Sequence, residues 1–289
     1  MAGNNLPSKP RSRELDLINK VAVISGCSRG IGRAIAFNLA SRGCSILGTC
    51  NSEGGLSLIC SKLNDEVSSL FDATARQRPA TLKIVGKVAD IFSPGCAATI
   101  ADAVAESFSS RVDIFVNSAC DPMPGTIGQM TAAEISHSLL GNVQTPVLIV
   151  EEFVRRKYFQ PNSRIIYLSS MRARTPWHMQ LMYGSTKSAG ESLCRTWAQA
   201  FGGKEEAYAF MKGTTANSIA VGLTQTDAIM DCGPEMVKQF QDENFPIQSI
   251  PRFGQPEDVA DVVGMLCGED ARWITGCVVS ASGGFTKLV

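Results

Sequence analysis

The chain has 289 residues, of which 44% are hydrophobic and 19% are charged, and its 27 basic and 27 acidic residues give a formal net charge of zero. This composition excludes a disordered chain and a coiled coil, because it supplies enough apolar surface for a large core. A zero net charge offers no basic surplus for nucleic acid or for an anionic membrane, and no apolar run reaches the roughly 18 residues of a membrane span. We therefore expect neither nucleic-acid nor membrane partners.

The cysteines and histidines predict neither disulfides nor a metal site. The 10 cysteines are spread singly along the chain and none forms a C-x-x-C pair, and a chain of this length needs no disulfide framework to fold. His137 and His178 are too few for a zinc cluster. The polar first residues lack the apolar core of a signal peptide. We expect a cytoplasmic protein with reduced thiols and no bound metal.

Short apolar runs alternate along the chain with longer stretches of helical spacing. Strands are predicted, in chain order, at residues 20–24, 44–49, 81–85, 112–116, 163–168, 215–221 and 278–279, and the main helices at residues 31–39, 56–71, 94–108, 131–157, 183–201 and 257–267. This alternation, with strands apolar on both faces, indicates a parallel sheet covered by helices on both sides. No break in the rhythm marks a second domain, so we predict one domain over residues 18–289 after a flexible arm at residues 1–17.

The segment at residues 226–251 departs from this rhythm. A long excursion in a compact domain is usually a binding loop or a lid, so we predict a substrate lid that is mobile without ligand. Its apolar residues are expected to face a bulky ligand; they are Met230, Met236, Phe240 and Phe245. Its charged residues are expected to face solvent; they are Asp227, Asp231, Glu235 and Lys238.

A glycine-rich turn, Ser25-Gly-Cys-Ser-Arg-Gly-Ile-Gly32, follows the first predicted strand. Gly26 permits the sharp turn, Gly30 lets the backbone approach a phosphate, and Gly32 lets the following helix pack on the strand. The amide N–H groups at the start of that helix favour a pyrophosphate. Between a strand and an amphipathic helix, such a turn predicts a dinucleotide site. The predicted contacts within the turn are Gly26, Ser28, Arg29, Gly30, Ile31 and Gly32.

The end of the second predicted strand discriminates between the two nicotinamide dinucleotides. A site for NAD usually places an acid there, on the ribose 2′-hydroxyl, but this position is Cys50. Arg29 in the turn, with Asn51 and Ser52 beside Cys50, supplies a guanidinium and neighbouring donors that suit a 2′-phosphate. These residues predict NADP(H) as the cofactor.

Tyr183 and Lys187 lie four residues apart, on one face of a predicted helix. Free tyrosine titrates at about pH 10, and a nearby lysine cation lowers this pKa because it favours the phenolate. The same lysine is placed to hold the nicotinamide ribose. The pair therefore predicts a proton donor and acceptor for hydride transfer.

Together, the glycine spacing G-x-x-x-G-x-G and the Y-x-x-x-K pair resemble the short-chain dehydrogenase/reductase family, over about residues 18 to 286. The resemblance implies a single-domain Rossmann fold with a doubly wound, parallel seven-stranded sheet. It implies a catalytic tetrad of Asn142, Ser170, Tyr183 and Lys187, in which Ser170 holds the substrate oxygen and Asn142 supports a proton-relay water near the lysine. The cofactor contacts that it implies are Val88, Asn117, Ala119, Tyr183, Lys187, Gly222, Thr224 and Thr226.

Three positions depart from the family pattern. Lys87 stands where the family commonly has Asp, Cys120 where it has Gly, and Val221 where it has Pro. These departures keep open a non-redox role as an NADP-binding sensor, scaffold or carbon-skeleton catalyst, although the complete tetrad argues against it. A thiol redox protein is a third alternative, and it has many cysteines but no paired motif behind it.

The leading interpretation is an NADPH-dependent oxidoreductase. It transfers hydride between the nicotinamide and a ketone or secondary alcohol of a bulky, partly apolar small molecule, and the sequence leaves the direction open. The chain is similar to fungal ketoreductases of secondary metabolism. Family members often assemble as dimers or tetramers, so we also expect a homo-oligomer whose apolar contact comes from Phe153, Val154 and Trp197 on two long helices.

Overall fold

A computed structural model of the chain describes residues 14–287. Its strands are β1 (Val21–Ser25), β2 (Ser45–Cys50), β3 (Ile84–Val88), β4 (Val112–Asn117), β5 (Phe159–Ser170), β6 (Thr215–Val221) and β7 (Val278–Ala281). They form one sheet in the order β3-β2-β1-β4-β5-β6-β7, with every pairing parallel. This architecture confirms the predicted single-domain Rossmann fold with seven parallel strands.

Helices follow most strands and return the chain to the same edge of the sheet. They are α1 (Gly30–Ser41), α2 (Glu53–Ser57), α3 (Asn64–Ala73), α4 (Cys96–Phe108), α5 (Ala132–Leu139), α6 (Thr145–Arg155), α7 (Leu181–Phe201), α8 (Asp227–Met230), α9 (Pro234–Asn244) and α10 (Pro256–Cys267). A π-helical turn at Leu58–Leu63 joins α2 to α3, and another at Leu140–Gln144 joins α5 to α6. No helix in the described part of the chain combines the length and the apolar character that a membrane crossing needs.

The core lies on both faces of the sheet because successive strand residues point to opposite sides. In β1, the side chains of Ala22 and Ile24 pack in a cluster with α1 and α10, while those of Val21 and Val23 pack in a second cluster with α4, α6 and α7. All five residues of β1 are buried. Full burial of one such aliphatic side chain contributes about 1.5–3 kcal/mol, so the two clusters fix the helices on both faces.

The strand order reverses between β1 and β4, which are neighbours in the centre of the sheet. In open parallel sheets of this kind, a crevice forms outside the carboxyl ends of the strands at the reversal point. The glycine-rich turn after β1 and the residues that follow β4, β5 and β6 all lie at this edge. The fold therefore brings together the segments that carry the predicted functional residues.

The third strand begins three residues later than predicted. The sequence pattern indicates a strand at residues 81–85, but pairing with β2 starts at Ile84 and Leu82 closes a turn before it. β3 is the edge strand and is half-buried along its whole length, so the apolar run does not mark its boundary. As a result, Lys87 and Val88 lie inside the strand and not after it.

Two further expectations change when burial is considered. Leu17 is buried against the core and Asp16 forms an ion pair with Arg42, so these two residues are packed on the domain and are not part of a flexible arm; residues 1–13 of the predicted arm lie outside the described residues. Phe153 and Trp197 are also buried in the core. They do not form the predicted apolar surface for a subunit contact, and the homo-oligomer stays a prediction.

Candidate active site

A cavity of about 530 Å³ opens at the carboxyl edge of the sheet, where the strand order reverses. The predicted site residues that line it are Gly26, Arg29, Gly30, Ile31, Gly32, Asn51, Ser170, Tyr183, Lys187, Gly222, Thr224 and Thr226. The predicted residues that do not line it are Ser28, Ser52, Val88, Asn117, Ala119 and Asn142. The structure thus brings two thirds of the predicted residues, from five separate segments, to one cavity.

The glycine-rich turn is packed so closely that two of its glycines cannot carry a side chain. Gly26 has a φ of +67°, and a Cβ placed there would lie 2.9 Å from the Cα of Ala119. A Cβ on Gly32 would lie 2.1 Å from the carbonyl oxygen of Gly26. These contacts keep the turn tight and leave the first amides of α1 facing the cavity, which is the arrangement that binds a pyrophosphate.

Ser25 ties this turn to the end of β4. Its hydroxyl accepts hydrogen bonds from the amides of Ser118 and Ala119, at 3.0 and 3.1 Å, and donates to Asn117 Oδ1 at 3.3 Å. Asn117 is buried beneath the turn and does not line the cavity. Asn117 and Ala119 therefore support the cofactor turn from behind, and this differs from the direct contact that was predicted for them.

The adenosine end of the cavity has a free cation and no acid at the end of β2. Arg29 is exposed and lines the cavity, and its side chain makes no hydrogen bond or ion pair with any described residue. Cys50 is buried, and its thiol donates to the carbonyl of Ser52 at 3.3 Å. Asn51 lines the cavity beside Arg29. This set of residues fits a dinucleotide that carries a phosphate on its adenosine ribose.

Ser170, Tyr183 and Lys187 meet in the middle of the cavity. Ser170 ends β5 and lines the cavity with Tyr183, and its hydroxyl accepts a hydrogen bond from the backbone N–H of Arg172 at 3.1 Å. Lys187 Nζ lies 5.4 Å from the centre of the Tyr183 ring and donates to the carbonyl of Leu168 at 2.8 Å. A hydroxyl, a phenol and an ammonium group thus converge, as the sequence predicts.

We expected Lys187 to lower the pKa of Tyr183, but the net shift of this pKa is upward. Burial raises the pKa of the phenol above its usual value, while Lys187 and Ser170 oppose that rise. The expected effect of Lys187 is present, but the apolar surroundings outweigh it. Tyr183 therefore keeps its proton at neutral pH and is available to donate it.

Lys187 is almost fully buried and remains charged. Burial lowers the pKa of its ammonium group, but Cys120, Tyr183 and Tyr167 raise it by a larger total, and the net direction is upward. The ammonium group stays a cation beside the phenol throughout the physiological pH range.

Asn142 lies behind the cavity and has every polar side-chain atom bonded to protein. Its Oδ1 accepts from the amide of Asp121 at 2.7 Å, and its Nδ2 donates to the Asp121 carbonyl at 3.0 Å and to Thr186 Oγ1 at 3.1 Å. Its backbone carbonyl accepts from the Tyr167 hydroxyl at 2.8 Å. Asn142 thus joins α7 to the loop after β4, and its role in a proton relay stays a prediction.

The sequence of this chain matches that of a known protein family. Residues 26–286 match the family model described as enoyl-(acyl carrier protein) reductase. The chain belongs to the short-chain dehydrogenase/reductase family. The resemblance that the turn and the Y-x-x-x-K pair predict is therefore confirmed.

The matches run along nearly the whole length of this short-chain dehydrogenase/reductase. It is 29% identical over 283 residues to the short-chain dehydrogenase/reductase FrzI of Cladobotryum sp., covering 94% of this chain and 98% of that protein. It is 31% identical over 320 residues to the L-xylulose reductase of Aspergillus niger, covering 94% and 98%. The structure of the angucycline C-6 ketoreductase LanV with bound NADP is similar at a TM-score of 0.78 and 26% identity, covering 96% of this chain and 99% of that one.

The predicted lid consists of α8 and α9, and both contribute to the wall of the cavity. Phe240 lines the cavity and lies edge-on to Trp177, with ring centres 6.0 Å apart, and Met236 and Phe245 pack on the same small apolar cluster. Met230 is 44% exposed and does not join it. The four charged residues expected to face solvent are exposed, although Asp227 also lines the cavity; they are Asp227, Asp231, Glu235 and Lys238.

Three residues of this family member were missed or left without a role by the sequence patterns. Tyr167 is fully buried beneath Lys187, and Arg172 lines the cavity two residues after Ser170. Cys120 was noticed only as a replaced glycine, but it lines the cavity together with Lys187. Only Arg172 could have been found from the sequence. It follows the predicted catalytic serine by two residues, and a charged side chain at such a site is rarely buried without a partner.

Proposed function

We propose that this short-chain dehydrogenase/reductase is an NADPH-dependent reductase that transfers hydride to the ketone carbon of a bulky, partly apolar small molecule. The observation that carries the proposal is the convergence of Ser170, Tyr183 and Lys187 in one cavity whose far end holds the glycine-rich turn and Arg29. The names of the relatives support it, since they include reductases and a ketoreductase crystallised with NADP.

The cofactor is NADP(H), held along the edge of the sheet. The amides at the start of α1 bind its pyrophosphate, because they face the cavity without intrahelical partners. Arg29 and Asn51 bind the 2′-phosphate, for which a free guanidinium is well suited. Thr226 lies close to the turn, 3.5 Å from the position of a Cβ on Gly30, and is placed to contact the cofactor there. When bound, the reduced cofactor supplies the hydride.

The residues of the chain hold and move the proton. Tyr183 donates its proton to the developing alkoxide, since burial keeps the phenol protonated. Ser170 hydrogen-bonds the same oxygen and lowers the energy of the charge that develops on it. Lys187 offsets the charge left on the phenolate, because its ammonium group lies beside the ring and is fixed by the Leu168 carbonyl.

The substrate is bulky and partly apolar because its end of the cavity is lined by large side chains. Phe240, Ile229 and Met171 lie on the cavity wall, and soft and aromatic groups of this kind suit an apolar ligand. Closure of α8 and α9 over the ligand would exclude water from the reacting atoms. The relatives are named for different substrates, a sugar ketone and an angucycline among them, and therefore leave the substrate to experiment.

The test is the loss of NADPH absorbance with a panel of aromatic and aliphatic ketones. Wild-type protein should consume NADPH with at least one ketone, and Tyr183→Phe should not. NADP⁺ binding without turnover of any ketone would favour the non-redox alternative. A control variant, Tyr208→Phe, removes a phenol hydroxyl far from the cavity and should leave turnover unchanged.

Assembly is a separate proposal. We infer a homo-oligomer from the family's habit of two-fold assembly, although the apolar residues first assigned to the contact are buried. Light scattering at micromolar concentration should give at least twice the mass of one chain, and a monomer mass would contradict this.

A further inference from the structure

Arg172 places a positive charge at the substrate end of the cavity. It lies in the short 3₁₀ turn Met171–Ala173 that follows β5, and the hydroxyl of Ser170 accepts a hydrogen bond from its backbone N–H at 3.1 Å. Its side chain lines the cavity together with Phe240 from α9. The turn therefore fixes this guanidinium within two residues of the serine that holds the reacting oxygen.

The guanidinium is only partly satisfied by the protein. It stacks on the indole of Trp177, 5.2 Å from the ring centre, and Nη2 makes one long hydrogen bond of 3.5 Å to Asn244 Oδ1. Within residues 14–287, neither Nε nor Nη1 of Arg172 has a hydrogen-bond partner, and no carboxylate lies within ion-pair distance. By contrast, Arg174, two residues further on, is paired with Glu191 at 2.6 Å.

The surroundings of Arg172 make a missing counter-charge costly. Burial lowers the pKa of the guanidinium, and Glu243 and Tyr183 oppose this shift from a distance, but an arginine stays charged in a protein. A partly buried charge that has no paired anion is unfavourable. The stacking on Trp177 leaves the edge of the planar group free, and this edge is the part that binds an anion with two parallel hydrogen bonds.

The other two cations of the cavity lie at the catalytic tyrosine and at the cofactor turn. Three cations line it within the described chain, namely Arg29, Arg172 and Lys187. Lys187 is fixed beside Tyr183 by the Leu168 carbonyl, and Arg29 lies at the glycine-rich turn. Arg172 is thus the cation that remains for the substrate.

We propose that Arg172 is the binding site for a carboxylate on the substrate, so that the reductase acts on oxo acids, meaning ketones that carry a carboxylate. This inference rests on the proposed function, because it assigns the substrate end of the same site. One guanidinium matches one negative charge, and the apolar neighbours Trp177 and Phe240 disfavour the stronger hydration of a phosphate dianion. The carboxylate would orient the ketone toward Ser170 and Tyr183.

The binding test uses protein loaded with NADP⁺ and a matched pair of probes, 4-acetylbenzoate and 4-acetylbenzamide, in isothermal titration. The two probes have the same size and the same ketone, and they differ in charge. Wild-type protein should bind the acid about 10- to 100-fold more tightly than the amide, as expected for a charge-assisted hydrogen-bond pair. Arg172→Met should reduce this ratio to near one, and Arg172→Lys should retain part of it.

A matched control separates this subsite from the general charge of the protein. Arg195 lies exposed on α7, outside the cavity, and Arg195→Met should leave the ratio unchanged. Thermal melting of each variant establishes that it is folded, and Arg172→Gln serves where Arg172→Met does not fold. Equal binding of acid and amide to the wild type, including no binding of either, overturns the proposal, as does a preference that survives in the uncharged variant.

A kinetic arm distinguishes this proposal from the proposed function. Ketone reduction that persists without any preference for the acid would overturn the carboxylate site and leave the reductase function intact. An acid preference that depends on Arg172, without NADPH consumption for any ketone, would overturn the reductase function and leave the anion site intact.

Discussion

Replacement of Tyr167 by phenylalanine tests the packing that supports Lys187. Tyr167 lies on β5 with 1% of its surface exposed, and its hydroxyl donates to the carbonyl of Asn142 at 2.8 Å. Its ring lies below Lys187, with Nζ 5.5 Å from the ring centre, and against Gly190, where a Cβ would approach a ring carbon to 2.1 Å. The substitution removes the hydroxyl alone and leaves the ring contacts in place.

The expected loss follows from the environment of the two bonded groups. Asn142 has no exposed surface, so water cannot replace the hydroxyl at its carbonyl. A buried acceptor left without a donor costs about 1–3 kcal/mol. For a domain of this size, each kcal/mol lowers the melting temperature by about 2–4 °C, so Tyr167→Phe should melt roughly 2–12 °C below the wild type.

The assay is denaturant unfolding followed by circular dichroism, with a thermal melt beside it. Tyr208→Phe is the control, because Tyr208 packs edge-on against Phe201 and has no hydroxyl hydrogen bond within the described residues. The control should change the free energy of unfolding by less than about 0.5 kcal/mol. If Tyr167→Phe is as stable as this control, the Tyr167–Asn142 hydrogen bond does not stabilise the site and the reasoning is refuted.

Three other predictions concern the cofactor, the pH profile and the lid. Arg29→Met should raise the KM for NADPH by about 5- to 30-fold, the equivalent of about 1–2 kcal/mol, and leave that for NADH unchanged; equal effects on both would exclude a role at the 2′-phosphate. The guanidinium of Arg172 lowers the pKa of Tyr183, and ketone reduction needs protonated Tyr183, so activity is present below this pKa and lost above it. Arg172→Met, assayed with a neutral ketone, should therefore move the alkaline loss of kcat/KM to higher pH, and an unchanged profile would contradict this electrostatic effect. Hydrogen exchange across α8 and α9 should slow when NADP⁺ and a ketone bind, and equal protection in both states would show a rigid element.

The sequence was sufficient for the sheet and the centre of the site because those features depend on local patterns. The glycine turn needs Gly26 because a Cβ there would lie 2.9 Å from the Cα of Ala119, and the Tyr183–Lys187 pair needs only the helical repeat to share a face. Both are visible along the chain, so they were predicted correctly. The boundary of β3 was not, because pairing with β2 sets the start of a half-buried edge strand.

The features that could not be predicted from the sequence depend on contacts between distant segments of the chain. The raised pKa of Tyr183 comes from burial, which no spacing of residues reveals. The engagement of Asn142 by Asp121 and Thr186 joins three separate segments. The position of Phe153 in the core, where an exposed interface was expected, reflects the packing of α6 on β4 and cannot be read from an apolar helix face. Such contacts exist only in the folded chain.

The measurement that tests the central claim most directly follows deuterium from the reduced nicotinamide to the product. NADPH carrying deuterium at both C4 positions of the nicotinamide is incubated with wild-type protein and a ketone that it consumes, and the alcohol is analysed by mass spectrometry. We expect deuterium on the carbinol carbon, and a rate lower by about 100- to 10,000-fold in Tyr183→Phe, the usual contribution of a general acid, with NADP⁺ affinity unchanged. An alcohol without deuterium, or a variant that keeps the wild-type rate, would contradict hydride transfer at this site.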